Sequence, residues 1–466
     1  MRARVLILIL VFIQGCFLAH GTGDGVDAGR RDAGGTEASD AASPTVGRDA
    51  GPVDPGPPAP PEPEPDPGPE GRPSDSPEAE DWEDPPDPGA GAPCCELGDP
   101  ILITSRELGM SLQHEPPLIA WGSDGWRLAY SRFFDRGGEG MANRVVTAQL
   151  APDGTVMSDP AIVATPLITD PMVAPLAQAL RWRGGRWALV ISAEHVGRNG
   201  REHYVRLYDR LLVPASDWLP LGPGVTADSA YLAHGDRWIG ASGWDDGVMF
   251  RVFDERMGER VTSSIASELV TSVHVEGFAS RAAALLPQLD GRGTSAQVVV
   301  LDAEGLPVGE VPLFLERQDQ AAFGRVRDLA VVAVVEGGHA QVEIVDPFAM
   351  RLVGRPIELG EAFDPGLAGF GGAGAIDVAG SDKFGVAGVC WGVPGDDTGG
   401  RDGSPSQINF RLVGDDGRPL GTAVEIVSGP FRGNAVNCSV GSDGVGFLVG
   451  WWNGSELWVR RVDVPR

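Results

Sequence analysis

Between Leu97 and Arg466 the chain passes seven times through one unit: an apolar run, a Gly/Asp turn, an alternating strand, a polar loop and a strand closing on Asp. The closing element is the most legible, as Val-Arg-Leu-Tyr-Asp209, Phe-Arg-Val-Phe-Asp254, Val-Val-Val-Leu-Asp302, Glu-Ile-Val-Asp346, Phe-Arg-Leu-Val-Gly-Asp415 and Val-Arg-Arg-Val-Asp463. A unit of roughly 45 to 60 residues cannot hold a core alone, so its apolar faces must be buried on neighbouring units, and four short strands per unit stack radially. The expectation is an all-β fold, a seven-bladed β-propeller. Six blades is the alternative, because the fourth unit, Val275 to Leu315, is degenerate.

Aligning the units on the turn before the second strand gives Asp124-Gly125-Trp126, Gly185-Arg186-Trp187, Asp236-Arg237-Trp238, Ser280-Arg281-Ala282, Arg327-Asp328-Leu329, Asp382-Lys383-Phe384 and Asp443-Gly444-Val445. Strict alternation follows, as in Trp126, Leu128, Tyr130 and in Val445, Phe447, Val449, Trp451, and period two with β-branched and aromatic residues marks strands. Trp126, Trp187 and Trp238 read as core. The seventh unit lacks a fourth strand. Asp99-Pro100-Ile101-Leu102-Ile103-Thr104 resembles fourth strands such as Asp159-Pro160-Ala161-Ile162-Val163-Ala164, so pairing the two ends would close the ring and remove its exposed edges.

At the N-terminus Arg2 and Arg4 precede an uncharged run, Val5 to Ile13, that is too short to span a bilayer and has the length of a signal-peptide core. The run ends in Ile13-Gln14-Gly15-Cys16, which resembles the lipobox of bacterial lipoproteins, with Gln14 departing from the small residue usual there. The resemblance implies a signal peptide over 1–15, lipidation of Cys16 and a membrane reached through the lipid anchor. Phe17 stands where some bacteria read a retention Asp, so the same resemblance implies the outer membrane. Ordinary secretory cleavage is the alternative.

Residues 16–93 form the next segment. From His20 to Pro93 there are 18 Asp/Glu against 4 Arg, a net −14 that is half of the chain's −28, together with 17 of the 39 prolines. So few large apolar side chains cannot offset the entropy of ordering, and a disordered acidic linker is expected. Its Pro-rich half, Pro52 to Pro93, reads as an extended stalk reaching on the order of 100 Å. The propeller domain, 94–466, carries the other −14 when Arg2 and Arg4 are counted with it, so nucleic acid is not an expected partner. A lipobox, an acidic stalk and a propeller together resemble a bacterial envelope lipoprotein, expected as a monomer.

If Cys16 is lipidated, Cys94, Cys95, Cys390 and Cys438 remain, and four cysteines in an oxidising compartment allow three pairings. A Cys390–Cys438 disulfide is expected, linking one unit's second strand to the next unit's first, with two buried thiols as the alternative. No CxxC or HxxxH spacing supports a metal site. Asp396, Asp397 and Asp402 could offer oxygen ligands to calcium, but their spacing matches no EF-hand. Nucleophile-elbow, zinc-protease, phosphate-loop and dinucleotide signatures are missing, and no cofactor is expected. Ser123-Asp124-Gly125-Trp126 and Ser442-Asp443-Gly444 resemble the Asp-box turn of sialidase-like propellers over a few residues in two units, too little to imply that activity.

The repeated Asp is expected to cap a turn, and Arg206, Arg251 and Arg460 three residues earlier to lie on sheet faces or between blades. Long insertions between second and third strands, Asp135 to Asn143, Glu194 to His203, Gln288 to Ala296 and Gly392 to Ser406, fall on one face of the disc, where binding usually resides. Near them sit Trp244-Asp245, Trp391 and Trp451-Trp452-Asn453, suited to stacking on a sugar or clamping a peptide, with packing between blades as the alternative. His203 lies in one of those insertions beside Glu202. The expected function is envelope-anchored, non-enzymatic binding of an envelope protein or glycan. The rivals are a glycan hydrolase or lyase at the propeller funnel and a scaffold of outer-membrane assembly.

Overall fold

The computed structural model describes residues 92–104, 116–135, 141–164, 172–195, 201–224, 226–232, 236–244, 247–254, 256, 258–266, 273–290, 293–314, 320–363, 376–394, 407–429, 438–453 and 456–465. The expected signal peptide, Cys16 and nearly all of the acidic segment lie outside them. Strand β1 (Glu96–Thr104) comes first and belongs to the last blade. Blade one is β2 (Leu118–Trp121), β3 (Trp126–Asp135), β4 (Met141–Leu150) and β5 (Val156–Ala164), and blade two is β6 (Met172–Arg183), β7 (Arg186–His195), β8 (Arg201–Tyr208) and β9 (Leu219–Pro223). Blade three is β10 (Thr226–Leu232), β11 (Arg237–Trp244), β12 (Gly247–Asp254) and β13 (Glu259–Ala266). Blade four is β14 (His274–Gly277), β15 (Ala282–Asp290), β16 (Gly293–Leu301) and β17 (Pro307–Pro312). Blade five is β18 (Gln320–Val326), β19 (Leu329–Glu336) and β20 (His339–Asp346), with β21 (Arg351–Leu352) and β22 (Ile357–Glu361) sharing its outer position. Blade six is β23 (Ile376–Ser381), β24 (Val386–Val393), β25 (Gln407–Gly414) and β26 (Pro419–Ser428), and blade seven is β27 (Cys438–Ser442), β28 (Gly446–Asn453) and β29 (Glu456–Asp463) completed by β1.

The fold is therefore a seven-bladed β-propeller, and the degenerate fourth unit makes a full blade. Each first strand packs against the first strand of the next blade, and β27 packs against β2, so the inner strands close a circle. Near the axis the backbones approach so closely that a Cβ at Gly277 would strike the Tyr231 carbonyl, and one at Gly380 the Arg325 carbonyl. Only glycine fits there.

Both faces of every blade are buried, which explains the alternating and near-continuous apolar runs. Trp126, Trp187 and Trp238, the first tryptophans after the tight turns, are 0%, 0% and 1% exposed. Tyr231 meets Trp238 edge-on with ring centroids 5.3 Å apart, and Trp121 meets Trp126 at 5.0 Å.

Three of the repeated Asp residues cap their turns with one geometry. Asp209 Oδ1 accepts from the N–H groups of Leu211 and Val213, Asp254 Oδ1 from Arg256 and Gly258, and Asp302 Oδ1 from Glu304 and Leu306, all at 2.8–3.0 Å. The preceding arginines tie strands together. Arg251 donates to the Pro220 carbonyl of blade two at 2.8 Å, and Arg460 donates to Ile426 of blade six and, at 2.7 Å, to Gly98 of β1.

Three of the four expected insertions begin and end in strand: pairing continues to Asp135↔Met141, Glu194↔Arg201 and Asp290↔Gly293, and the residues between lie outside the described ones. Residues 395–406 of the fourth lie outside the described residues, as do Asp396, Asp397 and Asp402.

The ring is sealed where expected. β1 pairs antiparallel with β29, with Ile101 opposite Val459 and Leu102 opposite Trp458, and Ile103 is buried in the cluster that also holds Leu457 and Val459. Deleting residues 94–105 would expose both β29 and the apolar side of blade seven. The expected result is loss of cooperative thermal unfolding by circular dichroism; a deletion variant that melts like the full chain would show the seal to be dispensable.

Candidate functional site

Two polar features stand out among the described residues: a network at the axis and a cleft between blades five and six. The axial network is built from first strands. Arg181 of β6 reaches Asp228 of β10 at 3.0 Å and Glu276 of β14 at 3.3 Å, with a third of its side chain still exposed. Asp228 also accepts the N–H of Val275 in the next blade at 2.9 Å and its neighbour Ser229 N–H at 2.7 Å. Asp377 of β23 repeats that arrangement, taking the N–H of Val440 in blade seven and of Val378, both at 2.8 Å. An aspartate on an inner strand thus fastens the next blade's inner strand, once from blade three to four and once from six to seven.

Burial pushes the Asp377 carboxyl up to about 6 and raises that of Glu276, while burial lowers His274. Burial also opposes the charge of Arg181, but Asp228 and Glu276 together hold that charge more firmly than usual. Carboxylates already engaged by a guanidinium and by backbone N–H groups act as a lock. In the sequence their only sign is an acid inside an apolar strand, as in Ala227-Asp228-Ser229 and Ile376-Asp377-Val378.

The cleft, open to solvent, has a volume of about 400 Å³. One wall is the outer strand of blade five, Leu359 to Glu361; the other is blade six, with Trp391 and Pro394 at the end of β24 and Gln407 and Asn409 on β25. Pro394 and Gln407 are also the two roots of segment 395–406, which puts the cleft on the long-loop face. Gln407 and Asn409 lie two apart on one strand and so share a face, where the Gln407 side-chain amide donates to Asn409 Oδ1. That pairing leaves the Gln407 carbonyl and the Asn409 NH₂ to be offered to the cleft. Trp391 Nε1 donates to the Glu361 carbonyl at 2.9 Å, tying the two walls together.

The expected anchors distribute unevenly. Trp391 lines the cleft but is only 1% exposed, so it is a wall held by packing rather than a free stacking platform. Trp451 and Trp452 are each 2% exposed and bury on opposite sides of blade seven: Trp451 packs toward blade six, and Trp452 toward blade one, where it meets Tyr130 at 5.6 Å. Consecutive strand residues point to opposite faces, and both faces of a blade are covered, so the pair had no route to the surface. Asn453 ends β28 half-buried. Trp244 ends β11, its side chain outside the described residues, as is Asp245. His203 is a correction: it is no loop residue but a fully buried member of β8 opposite Ser192, and neither ring nitrogen finds a partner. Gln407, Asn409 and Glu361 were missed because polar residues flanking a long segment have no distinguishing spacing.

The cysteines also divide. Cys94 and Cys95 are joined to each other, whereas Cys390 and Cys438, expected as a bridge, stand as two buried thiols. Among the described residues no three His, Cys, Asp or Glu side chains gather as metal ligands, and no helix is long and apolar enough to cross a membrane.

No protein-family model and no curated protein matches the sequence. Among solved structures, the chain is similar to the Dos1 propeller at 8% identity and TM-score 0.41, covering 79% of this chain and 95% of that one. It is also similar to Kuenenia stuttgartiensis hydrazine synthase, at 12% and 0.37 over 56% of this chain and 70% of that one. A third likeness is to Pyrococcus horikoshii acylaminoacyl peptidase, at 9% and 0.37 over 63% and 46%. At these values the likenesses carry no functional argument, and the fold stands on its own strand order.

Two buried groups give stability opposite pH dependences. Burial raises Glu343, 2% exposed and accepting from the Phe314 N–H at 3.1 Å, to about 7. Its protonated form suits the fold, so its contribution is full below the unfolded value near 4.5 and is lost as pH rises through 7, a cost of at most about 3 kcal/mol. Burial lowers His203 to about 4, so its contribution is full above about 6.5 and is lost as pH falls toward 4. Glu343→Gln is expected to raise the melting temperature at pH 8 and leave it unchanged at pH 4.5. His203→Gln is expected to shrink the loss between pH 7 and pH 4.5; parallel pH profiles for variant and parent would contradict both assignments.

Proposed function

We propose that this chain is an exported, lipid-anchored propeller that binds a neutral envelope glycan in the cleft between blades five and six. The carrying observation is the cleft itself: ligand-sized, on the long-loop face, and lined by the amide residues Gln407 and Asn409 opposite Leu359, Gly360 and Glu361. Sugar hydroxyls both donate and accept, and an amide carbonyl beside an amide NH₂ answers both roles. The acidic balance of the chain disfavours polyanions, which leaves neutral chains as the better match. Export and anchoring rest on the N-terminal residues: the short apolar run after Arg2 and Arg4, and Cys16 at the end of its lipobox-like sequence. The acidic linker would then hold the propeller away from the membrane surface.

The alternative of a glycan hydrolase or lyase at the axis is less well supported, because the carboxylates there already hold Arg181 and backbone N–H groups.

Titration calorimetry against a panel of neutral envelope polysaccharides tests the binding. Asn409→Ala and Gln407→Ala are each expected to weaken binding about tenfold, roughly 1.4 kcal/mol, with unchanged melting temperature. Trp391→Ala should instead destabilise the domain by about 3–5 kcal/mol. If no neutral glycan binds, or if the amide variants bind as tightly as the parent, the reading fails; retention of an envelope protein that is lost in the same variants would transfer the cleft to a protein partner. For the anchor, Cys16→Ala should release the protein into the soluble fraction and abolish incorporation of labelled fatty acid, and a parent chain that incorporates none would remove the anchor from the proposal.

A further inference from the structure

We propose that Cys390 and Cys438 form a disulfide that clamps blade six to blade seven, the interface beside the point where the ring is sealed. Cys390 lies on β24 with its side chain toward blade seven: Gly388, two residues earlier on the same face, packs so tightly on Phe447 of β28 that a Cβ there would lie 2.8 Å from that ring. Cys438 opens β27, the inner strand of blade seven. In the structure the two thiols are not bonded; both are wholly buried in one apolar cluster with Phe410, Val440, Phe447 and Trp451, where the Cys390 and Cys438 side chains hydrogen-bond. The two strands are held in register from a second direction. Asp377 pairs with Cys390 across β23 and β24, and its carboxylate takes the N–H of Val440, two residues beyond Cys438. A thiol pair in contact between two fixed strands needs little further movement to be joined.

The same seam carries the chain's return. Thr422 of β26 accepts the Cys94 N–H at 3.0 Å and donates to the Ala92 carbonyl at 2.8 Å, after which β1 crosses to β29. Cys94 and Cys95 belong to the same apolar cluster as Cys390 and Cys438, so all four cysteines of the domain lie in the core shared by blades six and seven. A bond between Cys390 and Cys438 would hold that interface independently of the terminal strand, and it would restrict the unfolded chain as well.

The chemistry is a thiol–disulfide exchange. Each thiol gives up its proton, a sulfur–sulfur bond forms, and the two electrons pass to an external disulfide, of glutathione or of a dithiol oxidoreductase, which is split into two thiols. Burial pushes the Cys390 thiol well up, so the folded pair is a poor attacker. Oxidation therefore belongs to folding, before blade seven docks.

The full chain, refolded in glutathione and glutathione disulfide, alkylated without reduction and digested, should yield one cross-linked peptide pair containing Cys390 and Cys438. Refolding in vitro keeps this chemistry separate from the question of export. Unfolding in denaturant should be at least tenfold slower than for Cys438→Ala or Cys390→Ala, and reductant should abolish most of the difference. Alkylation of both residues in the refolded chain, linkage of either to Cys94 or Cys95, or a rate difference untouched by reductant would each overturn the proposal.

Discussion

The pairing of β1 with β29 is the contact on which the rest of the molecule depends. A propeller blade cannot stand alone, because both of its faces are apolar and its outer strand is an open edge. Six of the seven blades are drawn from continuous sequence; the seventh is completed by chain from the other end of the domain. That one non-local ladder converts a row of blades into a ring in which each face has a partner. Its sequence separation makes it the costliest contact to form, since the loop it closes spans the whole domain.

Ring closure also decides what the tryptophans do. In an open sheet, a Trp at the end of a second strand would have one face in water. Here both neighbours are blades, and Trp451 and Trp452 are each swallowed from their own side. The same geometry brings the first strands together at the axis, where there is room for backbone, glycine and a few charged side chains. Arg181, Asp228, Glu276 and Asp377 occupy it and bind blade to blade through guanidinium and N–H contacts. The opening proposed above as a binding site lies elsewhere, in the cleft between blades five and six, between the outer strand of blade five and Gln407 and Asn409 of blade six.

Much of the architecture was legible because it repeats. Tight turns before Trp126, Trp187 and Trp238, alternation behind them and a capping Asp after the third strands of blades two, three and four are local signals, and local hydrogen bonds explain them: the same two N–H groups reach the same oxygen in Asp209, Asp254 and Asp302. The resemblance of residues 99–104 to a fourth strand identified the seal for the same reason. Reading failed where composition and structure part company. Strand pairing continues into the expected insertions, as at Asp135 with Met141, because backbone pairing does not depend on the turn and alternation signals that mark strands in sequence. His203 looked like a loop residue in such an insertion, yet it lies opposite Ser192 inside the sheet.

The sequence alone determined the class of fold and the strand that seals the ring, and favoured seven units over six, because periodicity and turn chemistry act over a few residues and leave their mark in order along the chain. It also set the contrast between an acidic, proline-rich segment and an apolar, repetitive one. Only the tertiary structure decided which aromatic residues are walls, which acids are locks and where an opening remains. Those properties belong to surfaces on different blades, and they exist only once the ring has brought residues such as Glu361 and Asn409, or Asp377 and Val440, to the same place.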